Sequence, residues 1–106
     1  MTKYHLIVYV PLTHAQTIRD VLAANGAGKI GNYDSCSFSS KGTGRFRPLK
    51  GSKPFVGLEG KIEEIEEERI EVVVPDTVDL NKLLSNVRKA HPYEEPAIHI
   101  LRSVEE

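Results

Sequence analysis

The sequence predicts a single α+β domain with a ferredoxin-like β-α-β-β-α-β order of strands and helices. Two segments carry apolar residues at helical spacing, and a strand-like apolar run precedes each of them. Between the two helices lies a long stretch with the pattern of paired strands, and another apolar run follows the second helix. At 106 residues the chain is long enough to bury one core, so we expect residues 1–106 to form one domain.

The first half predicts a strand followed by a helix. His5–Val10 is a compact apolar run that ends at a proline, as in a buried strand. Thr13 and Gln16 have the spacing of a capping box at the start of a helix. Asn25 and Gly26 suit the end of that helix, because both residue types tolerate positive φ.

The middle of the chain predicts a long hairpin. Tyr33–Ser39 has the alternation of a strand, and Lys41–Gly44 has the glycines of a turn. Phe55–Val74 forms a second strand-like segment. Its apolar alternation changes phase, which predicts a turn or bulge near Glu66–Glu68. Three residues indicate a loop before it: Pro48, Gly51 and Pro54.

The last part of the chain repeats the helix and strand of the first. Asp76-Thr77 or Asp79 can cap a helix that Pro92 ends, because the residue before a proline resists the helical region. One face of this helix is apolar: Leu80, Leu83, Leu84, Val87 and Ala90. Pro96–Leu101 then forms the final strand, which we expect to pair antiparallel with the first.

The predicted strands are apolar on both faces of the sheet. In a ferredoxin-like arrangement both helices cover one face, and the other face is open to solvent. The first strand would present Leu6, Val8 and Val10 on one side and Ile7 and Tyr9 on the other. An uncovered face of this kind would expose roughly several hundred Å² of apolar surface, the upper range for a monomer. We therefore expect self-association through the sheet.

Composition excludes several classes of function. The formal charge of −1 gives no general attraction to nucleic acid or to a membrane surface. The longest apolar run, Leu6–Val10, is too short to span a bilayer, and the N-terminus has no signal-peptide pattern. The single cysteine, Cys36, excludes an intramolecular disulfide and fits a reducing compartment. We expect a cytoplasmic protein.

Three blocks of sequence resemble a known family. They are GNYDSCSFSSKGTGRFRPLKGSKPFVG, GKIEEIEEERIEVVVP and KAHPYEEPA, and together they cover most of the chain from Gly31 onward. They resemble the inserted domain of the NGG-interacting-factor-like proteins, which is related in fold to CutA-like proteins and more distantly to PII-like proteins. The resemblance implies a ferredoxin-like subunit assembled as a homotrimer through its sheets and long hairpin.

The resemblance implies fold and assembly but no catalytic residue. Full-length members of the family carry this domain inside a larger one that holds a dinuclear metal site. The chain of 106 residues has no counterpart of that outer domain, so we interpret it as a stand-alone version of the inserted domain. The hydrolase-like or cyclohydrolase-like labels of the longer proteins are therefore not carried over.

The polar segments predict a small-molecule site in a cleft between subunits. Glycine turns with arginines can hold phosphate or carboxylate, and PII-like proteins bind nucleotides in such clefts. The candidate ligand-binding residues are Asn32, Tyr33, Arg45, Arg47 and Tyr93. Alternatively, the cations of Lys41–Lys53 face the acidic stretch Glu59–Glu71 of a neighbouring subunit.

Histidines suggest two candidate metal sites. His91, Glu94 and Glu95 combine imidazole and carboxylate, which are ligands for a divalent ion. The alternative is a rigid turn between two prolines whose acids face water or another subunit. His5 and His99 lie on neighbouring strands and either share a metal or serve as hydrogen-bonded interface residues.

The sequence favours a non-catalytic, oligomeric binding or regulatory module that binds a divalent metal ion or a small anion at subunit clefts. A metal-assisted hydrolase using His91 with Glu94 or Glu95 is the enzymatic alternative. A pure assembly module that docks on a separate metal-binding protein is the other. Cys36 is not interpreted as a nucleophile, because no base lies near it in sequence.

Overall fold

A computed structural model describes residues 2–104 as a four-stranded antiparallel sheet with two α-helices. The elements, in chain order, are β1 (Thr2–Pro11), a 3₁₀ turn (Leu12–His14), α1 (Ala15–Ala24), β2 (Phe38–Phe46), β3 (Glu63–Val74), α2 (Leu80–Ala90) and β4 (Ile98–Val104). The strand order across the sheet is β2-β3-β1-β4. The predicted β-α-β-β-α-β order is confirmed, and so is the antiparallel pairing of the first and last strands.

Both helices cover the same face of the sheet and close one hydrophobic core. Alternate residues of the two central strands point toward the helices, as the register Leu6↔Val72 and Val8↔Ile70 requires. The helices contribute apolar residues at helical spacing, as the sequence predicts. The fully buried core side chains are Leu6, Val8, Val10, Ile18, Leu22, Ile70, Val74, Leu83 and Val87.

The helix ends confirm part of the predicted capping. Asp79 is the N-cap of α2, where its side chain accepts a hydrogen bond from the Lys82 N–H at 3.1 Å. The predicted capping box of α1 is wrong. Residues 12–14 form a 3₁₀ turn, and the Thr13 hydroxyl contacts His14 Nδ1 at 2.8 Å and caps no backbone N–H. The Gln16 side chain instead contacts Asp20 and Arg19 along the helix surface.

The long hairpin differs from its prediction in its first strand, in its connection and in its second strand, which begins at Glu63 and not at Phe55. The strand predicted at Tyr33–Ser39 begins only at Phe38, and the turn predicted at Lys41–Gly44 lies inside β2. Cross-strand pairing to the acidic half of β3 keeps these glycines extended, because the ladder runs unbroken from Phe38↔Glu71 to Phe46↔Glu63. The true connection between β2 and β3 is the loop of residues 47–62.

The turn predicted near Glu66–Glu68 is also wrong, because β3 is continuous. The apolar alternation along β3 changes phase for another reason. Ile70, Val72 and Val74 face the helices, whereas Ile65 lies on the opposite face. The two halves of the strand therefore place their apolar residues on different sides of the sheet. Glu68, on the helix side, is only 8% exposed and pairs with Arg19 of α1.

The second face of the sheet, which we call the open face, is free of helices. It mixes apolar with polar side chains, and its members include His5, Ile7, Tyr9, Phe38, Glu67, Arg69, Glu71, Val73, His99 and Leu101. Both histidines therefore lie away from the core. His5 Nε2 is 3.4 Å from Glu71 Oε1, and the His99 ring packs edge-on against Tyr9 with centroids 6.2 Å apart.

No helix within residues 2–104 is long and apolar enough to cross a membrane.

Candidate ligand-binding site

A cavity of about 480 Å³ lies on the open face, where β1 ends. One side is formed by the end of β2 and the 47–62 loop, and the other by the segment 91–97 that follows α2. The lining residues that matter below are Tyr9, Gly44, Arg45, Arg47, Phe46, Phe55, Glu67, Tyr93, Glu94 and Glu95. The cavity therefore brings together parts of the chain that are far apart in sequence.

Aromatic rings form the walls of the cavity. Tyr93 lies at the centre of the group, with ring centroids 6.0 Å from Phe46 and 6.3 Å from Phe55. His14, at the end of the 3₁₀ turn, packs edge-on against Phe55 at 5.5 Å. Contacts at these separations are typical of stabilising aromatic pairs. The 47–62 loop is thus packed by its aromatic side chains although it has no regular secondary structure.

The floor of the cavity holds a carboxylate oriented by a phenol. The Tyr93 hydroxyl donates a 2.7 Å hydrogen bond to Glu67 Oε2. Burial, and then this hydrogen bond, raise the pKa of Tyr93 well above its ordinary value of 10.0, so the hydroxyl stays protonated and remains a donor. Gly44 makes room for the carboxylate, because a Cβ built at this position would lie 1.9 Å from Glu67 Oε1.

His91 joins α2 to the cavity wall. It is the C-cap of α2, only 6% exposed, and its ring lies 5.0 Å from that of Tyr93. Nε2 is 2.7 Å from the Tyr9 carbonyl oxygen, and Nδ1 accepts the Tyr93 N–H at 3.1 Å. The neutral tautomer with its proton on Nε2 satisfies both contacts. Burial lowers the pKa of His91 below 6.5, against smaller opposing effects of the Tyr9 carbonyl and the Glu67 charge.

The two sides of the cavity are hydrogen-bonded to each other. The Lys53 N–H of the loop donates to Glu94 Oε1 at 3.0 Å. Within the loop, the Ser52 N–H donates to the Leu49 carbonyl, and the Gly60 N–H to the Pro48 carbonyl. The Lys53–Glu94 bond fixes the loop against the segment 91–97, and the other two bonds hold the shape of the loop itself, so the cavity is preformed in the folded chain.

The predicted cations Arg45 and Arg47 line the cavity, but within residues 2–104 neither pairs with the Glu67 carboxylate on its floor. Arg45 pairs with Glu64 at 3.3 Å, and both side chains are more than half exposed. By strand alternation these two residues lie on the face opposite Gly44 and Phe46. Arg47 is exposed and makes no hydrogen bond or ion pair with the part of the chain that the structure describes.

The structure brings together only some of the predicted ligand-binding residues. Arg45, Arg47 and Tyr93 line the cavity, whereas Asn32 and Tyr33 do not. Tyr33 pairs with Ile30 in a loop that the Gly28 N–H ties to the Val73 carbonyl, near the other end of β3. Arg45 pairs with Glu64, near the start of β3, whereas the loop of Asn32 and Tyr33 is tied to Val73, near its end. Within one subunit, Asn32 and Tyr33 are therefore ~30 Å from Arg45 along the strand.

The candidate metal ligands do not gather into one cluster. Glu94 and Glu95 line the cavity, but both ring nitrogens of His91 contact backbone groups. Within residues 2–104, no group of three or more His, Cys, Asp or Glu side chains is arranged to hold a metal ion. Metal binding by His91, Glu94 and Glu95 would require His91 to give up a backbone contact, and it stays a prediction.

Sequence reasoning missed most of the cavity's floor and walls: Tyr9, Gly44, Phe46, Phe55 and Glu67. One available signal was the phase of β3. If the strand is read as continuous, Glu67 falls on the same face as Ile65 and not on the face of Ile70. The aromatic residues of a polar, glycine-rich segment were the other signal. Cys36 has no histidine partner among residues 2–104, since its Sγ contacts the Asp34 carbonyl at 3.7 Å.

Known proteins resemble this chain in both sequence and structure. A protein from Halalkalibacterium halodurans named GTP cyclohydrolase 1 type 2 homolog is 49% identical over 94 residues, which are 89% of this chain and 25% of that protein. A crystal structure of a Bacillus cereus protein related to NIF3 has a TM-score of 0.83 at 39% identity, and it covers 98% of this chain and 26% of that one. The chain is thus similar to one segment, about a quarter in length, of proteins related to NIF3. This confirms the resemblance to the NGG-interacting-factor-like proteins.

The NIF3-like chain spans about a quarter of the length of the curated relatives it matches. The CutA protein of Archaeoglobus fulgidus, described as a periplasmic divalent cation tolerance protein, covers all of this chain and 86% of its own length. Its TM-score is 0.66 at 20% identity, a likeness that establishes the shared CutA-like, ferredoxin-like fold. No protein-family profile matches the sequence.

Proposed function

We propose that this NIF3-like chain is a cytoplasmic, non-catalytic binding or regulatory module that binds a small molecule in the 480 Å³ cavity and assembles through its open face. The cavity is the observation that carries the proposal. Its volume lies within the roughly 300–1,000 Å³ of small-molecule sites, and apolar walls with a few polar groups are typical of them. The NIF3-like and CutA-like relatives support a binding or regulatory role.

The open face supports assembly into an oligomer. It carries Phe38, 65% exposed, and Leu101, 53% exposed, beside the more buried Ile7 and Val73. The cavity opens on the same face, so a subunit packed there would border the cavity as well. The likeness to CutA supports a homotrimer as the form of this assembly.

Assembly would also unite the predicted anion-binding residues. Asn32 and Tyr33 are too far from Arg47 to share a ligand within one subunit. They can do so only if a neighbouring subunit contributes them. If the ligand were anionic, Arg47, which makes no ion pair within residues 2–104, would bind its anionic group, and Glu95 would face water or the neighbour.

A second candidate is favoured by the surface of the 47–62 loop. It exposes large apolar side chains, with Leu49 60%, Leu58 62% and Ile62 71% accessible. Exposed apolar side chains grouped on one segment mark interaction surfaces more often than isolated ones do. This supports the alternative of an assembly module that docks through the loop on a separate metal-binding protein.

Light scattering on a sizing column, with elemental analysis of the same peak, tests the proposal. We expect a trimer without stoichiometric metal. A trimer carrying near-stoichiometric metal that is lost in His91→Ala would favour the metal-assisted hydrolase, because the imidazole would then be a ligand. A monomer at high protein concentration would contradict assembly through the open face.

A further inference from the structure

We infer that the cavity binds an organic cation, an ammonium or guanidinium group on a small apolar body, through the Glu67 carboxylate and the aromatic rings around it. This inference rests on the proposed function, since it names the ligand chemistry of the same cavity. It also reverses the charge that the sequence predicts for the ligand.

Two adjacent carboxylates of β3 have different partners. Glu68 points toward the helices, is 8% exposed and has the guanidinium of Arg19 as its partner. Glu67 points into the cavity and is half-buried, yet among residues 2–104 its carboxylate has only the Tyr93 hydroxyl as a hydrogen-bond donor. A carboxylate accepts about four hydrogen bonds, and a hydroxyl does not neutralise its charge. Glu67 therefore lacks the cation that its neighbour has.

The chain holds the Glu67 carboxylate in place. The Tyr93 hydroxyl binds Oε2, and Gly44 leaves space for Oε1 that any larger residue would fill. The loop and the segment 91–97 close around this pair and are hydrogen-bonded through Glu94. The position of Glu67 is thus fixed by three separate parts of the chain, as expected for a preorganised binding group.

The walls of the cavity suit an organic cation. The rings of Phe46, Phe55 and Tyr93 line the same cavity as Glu67 and lie within 6.0–6.3 Å of one another through Tyr93. Aromatic faces attract cations through their quadrupole, most effectively the weakly hydrated ammonium and guanidinium groups. Hydrated divalent ions instead need several oxygen ligands, and the cavity carboxylates Glu67, Glu94 and Glu95 are not grouped to supply them within residues 2–104. A carboxylate among aromatic rings therefore selects an organic cation over a metal ion.

The cations of the site do not fill this position. Arg45 is on the opposite face of β2, where it pairs with Glu64. Arg47 is exposed beyond the end of the strand. Because neither arginine reaches Glu67, the floor of the cavity stays acidic. Binding of an anionic ligand by these arginines is the competing hypothesis.

Nuclear magnetic resonance titration of the nitrogen-labelled protein tests the inference with three probes. Choline supplies the cation, its neutral carbon analogue neohexyl alcohol has the same shape without charge, and butyl phosphate supplies an anion. We expect choline to shift the amide signals of Gly44, Phe46 and Tyr93 and to bind about tenfold more tightly than the alcohol. Glu67→Gln should abolish this preference, and Glu64→Gln, on the opposite face of the same strand, should retain it.

A second variant removes the site without changing its charge. Gly44→Ala places a methyl group against Glu67 Oε1, so the carboxylate must move and the preference for choline should fall as it does in Glu67→Gln. Equal binding of choline and the alcohol would overturn the inference but leave a small-molecule cavity. Tighter binding of butyl phosphate, lost in Arg47→Ala, would overturn it in favour of an anion. No shift at the cavity with any probe would contradict both this inference and the proposed function.

Discussion

Adjacent residues of β3 have opposite environments because a strand alternates its side chains between two faces. Glu68 is buried under α1, and Glu67 lies on the floor of the cavity. His91 likewise contributes both to the fold and to the cavity. Its backbone ends α2, while its ring bridges the Tyr9 carbonyl and the Tyr93 N–H at the cavity wall. At the scale of single residues, the same side chains that complete the fold also shape the candidate site.

His91 makes the stability of the fold depend on pH. Burial lowers the pKa of this imidazole, so the unfolded chain takes up its proton near pH 6.5 and the folded chain only at lower pH. The unfolding free energy therefore falls as pH decreases below 6.5 and levels off below the lowered pKa. His91→Asn should make the decline below pH 6.5 shallower. Urea unfolding at a series of pH values measures this.

The matched control for this prediction is His99→Asn. His99→Asn also removes one histidine, but one that lies outside the core, so we expect a steeper decline in this variant than in His91→Asn. An unchanged decline in His91→Asn would show that the pH dependence has another origin.

At the scale of elements, the elongated hairpin of β2 and β3 is held to the helical layer by an ion pair as well as by the core. Arg19 of α1 contacts both Gln16 on its own helix and Glu68 on β3. Its guanidinium also reaches Ser39 of β2 at 3.4 Å. One arginine thus connects α1 to both strands of the hairpin, at the edge of the apolar core where the acidic half of β3 begins.

Arg19→Met should therefore be costly. It leaves Glu68, whose side chain is 11% accessible, with its charge unpaired, and we expect a loss of about 2–3 kcal/mol in the free energy of unfolding. The double variant Arg19→Met/Glu68→Leu should recover most of the loss, because it removes the unpaired charge as well. Denaturant unfolding measures both changes.

Arg45→Met is the control, since it breaks an ion pair of the same chemistry on the surface. Both side chains of the Arg45–Glu64 pair are more than half exposed, so the expected change in the free energy of unfolding is within about 1 kcal/mol. Equal losses in Arg19→Met and Arg45→Met would contradict the role assigned to burial.

At the scale of the whole molecule, the sheet has two faces with different roles. One face closes the core against the helices, and the other carries the cavity together with exposed apolar residues. The molecule measures 46 × 24 × 23 Å, so the sheet is long in relation to the helical layer that covers it. A long open face of mixed character favours association between subunits over a solvated surface.

Leu101→Glu tests the assembly at this scale. Leu101 lies on the open face of β4 and is 53% exposed, so a charge there should disrupt packing between subunits and yield a monomer in light scattering. Val104→Glu on the same strand is the matched control. Val104 is 95% exposed and lies on the other face by alternation, and this variant should keep the wild-type mass. Identical masses for the two variants would contradict assembly through the open face.

The sequence by itself determined the order of the elements and the composition of the core. The apolar spacing of α2, its Asp79 cap and the alternation of Ile70, Val72 and Val74 depend on neighbours close in the chain. Segments too polar for ordinary core also predicted Arg45, Arg47 and Tyr93 as ligand-binding residues; these three line the cavity, and their role in binding stays a prediction.

Only the tertiary structure decided the middle of the hairpin and the chemistry of the cavity. Gly42 and Gly44 stay extended because they pair with β3, although their local preference is for a turn. Glu67 faces the cavity because β3 continues without a bulge, and its phase is fixed by pairing with β1 as well as with β2. The cavity unites Tyr9, Phe46, Glu67 and Tyr93 from separate elements, so its shape and charge depend on long-range packing that local spacing does not contain.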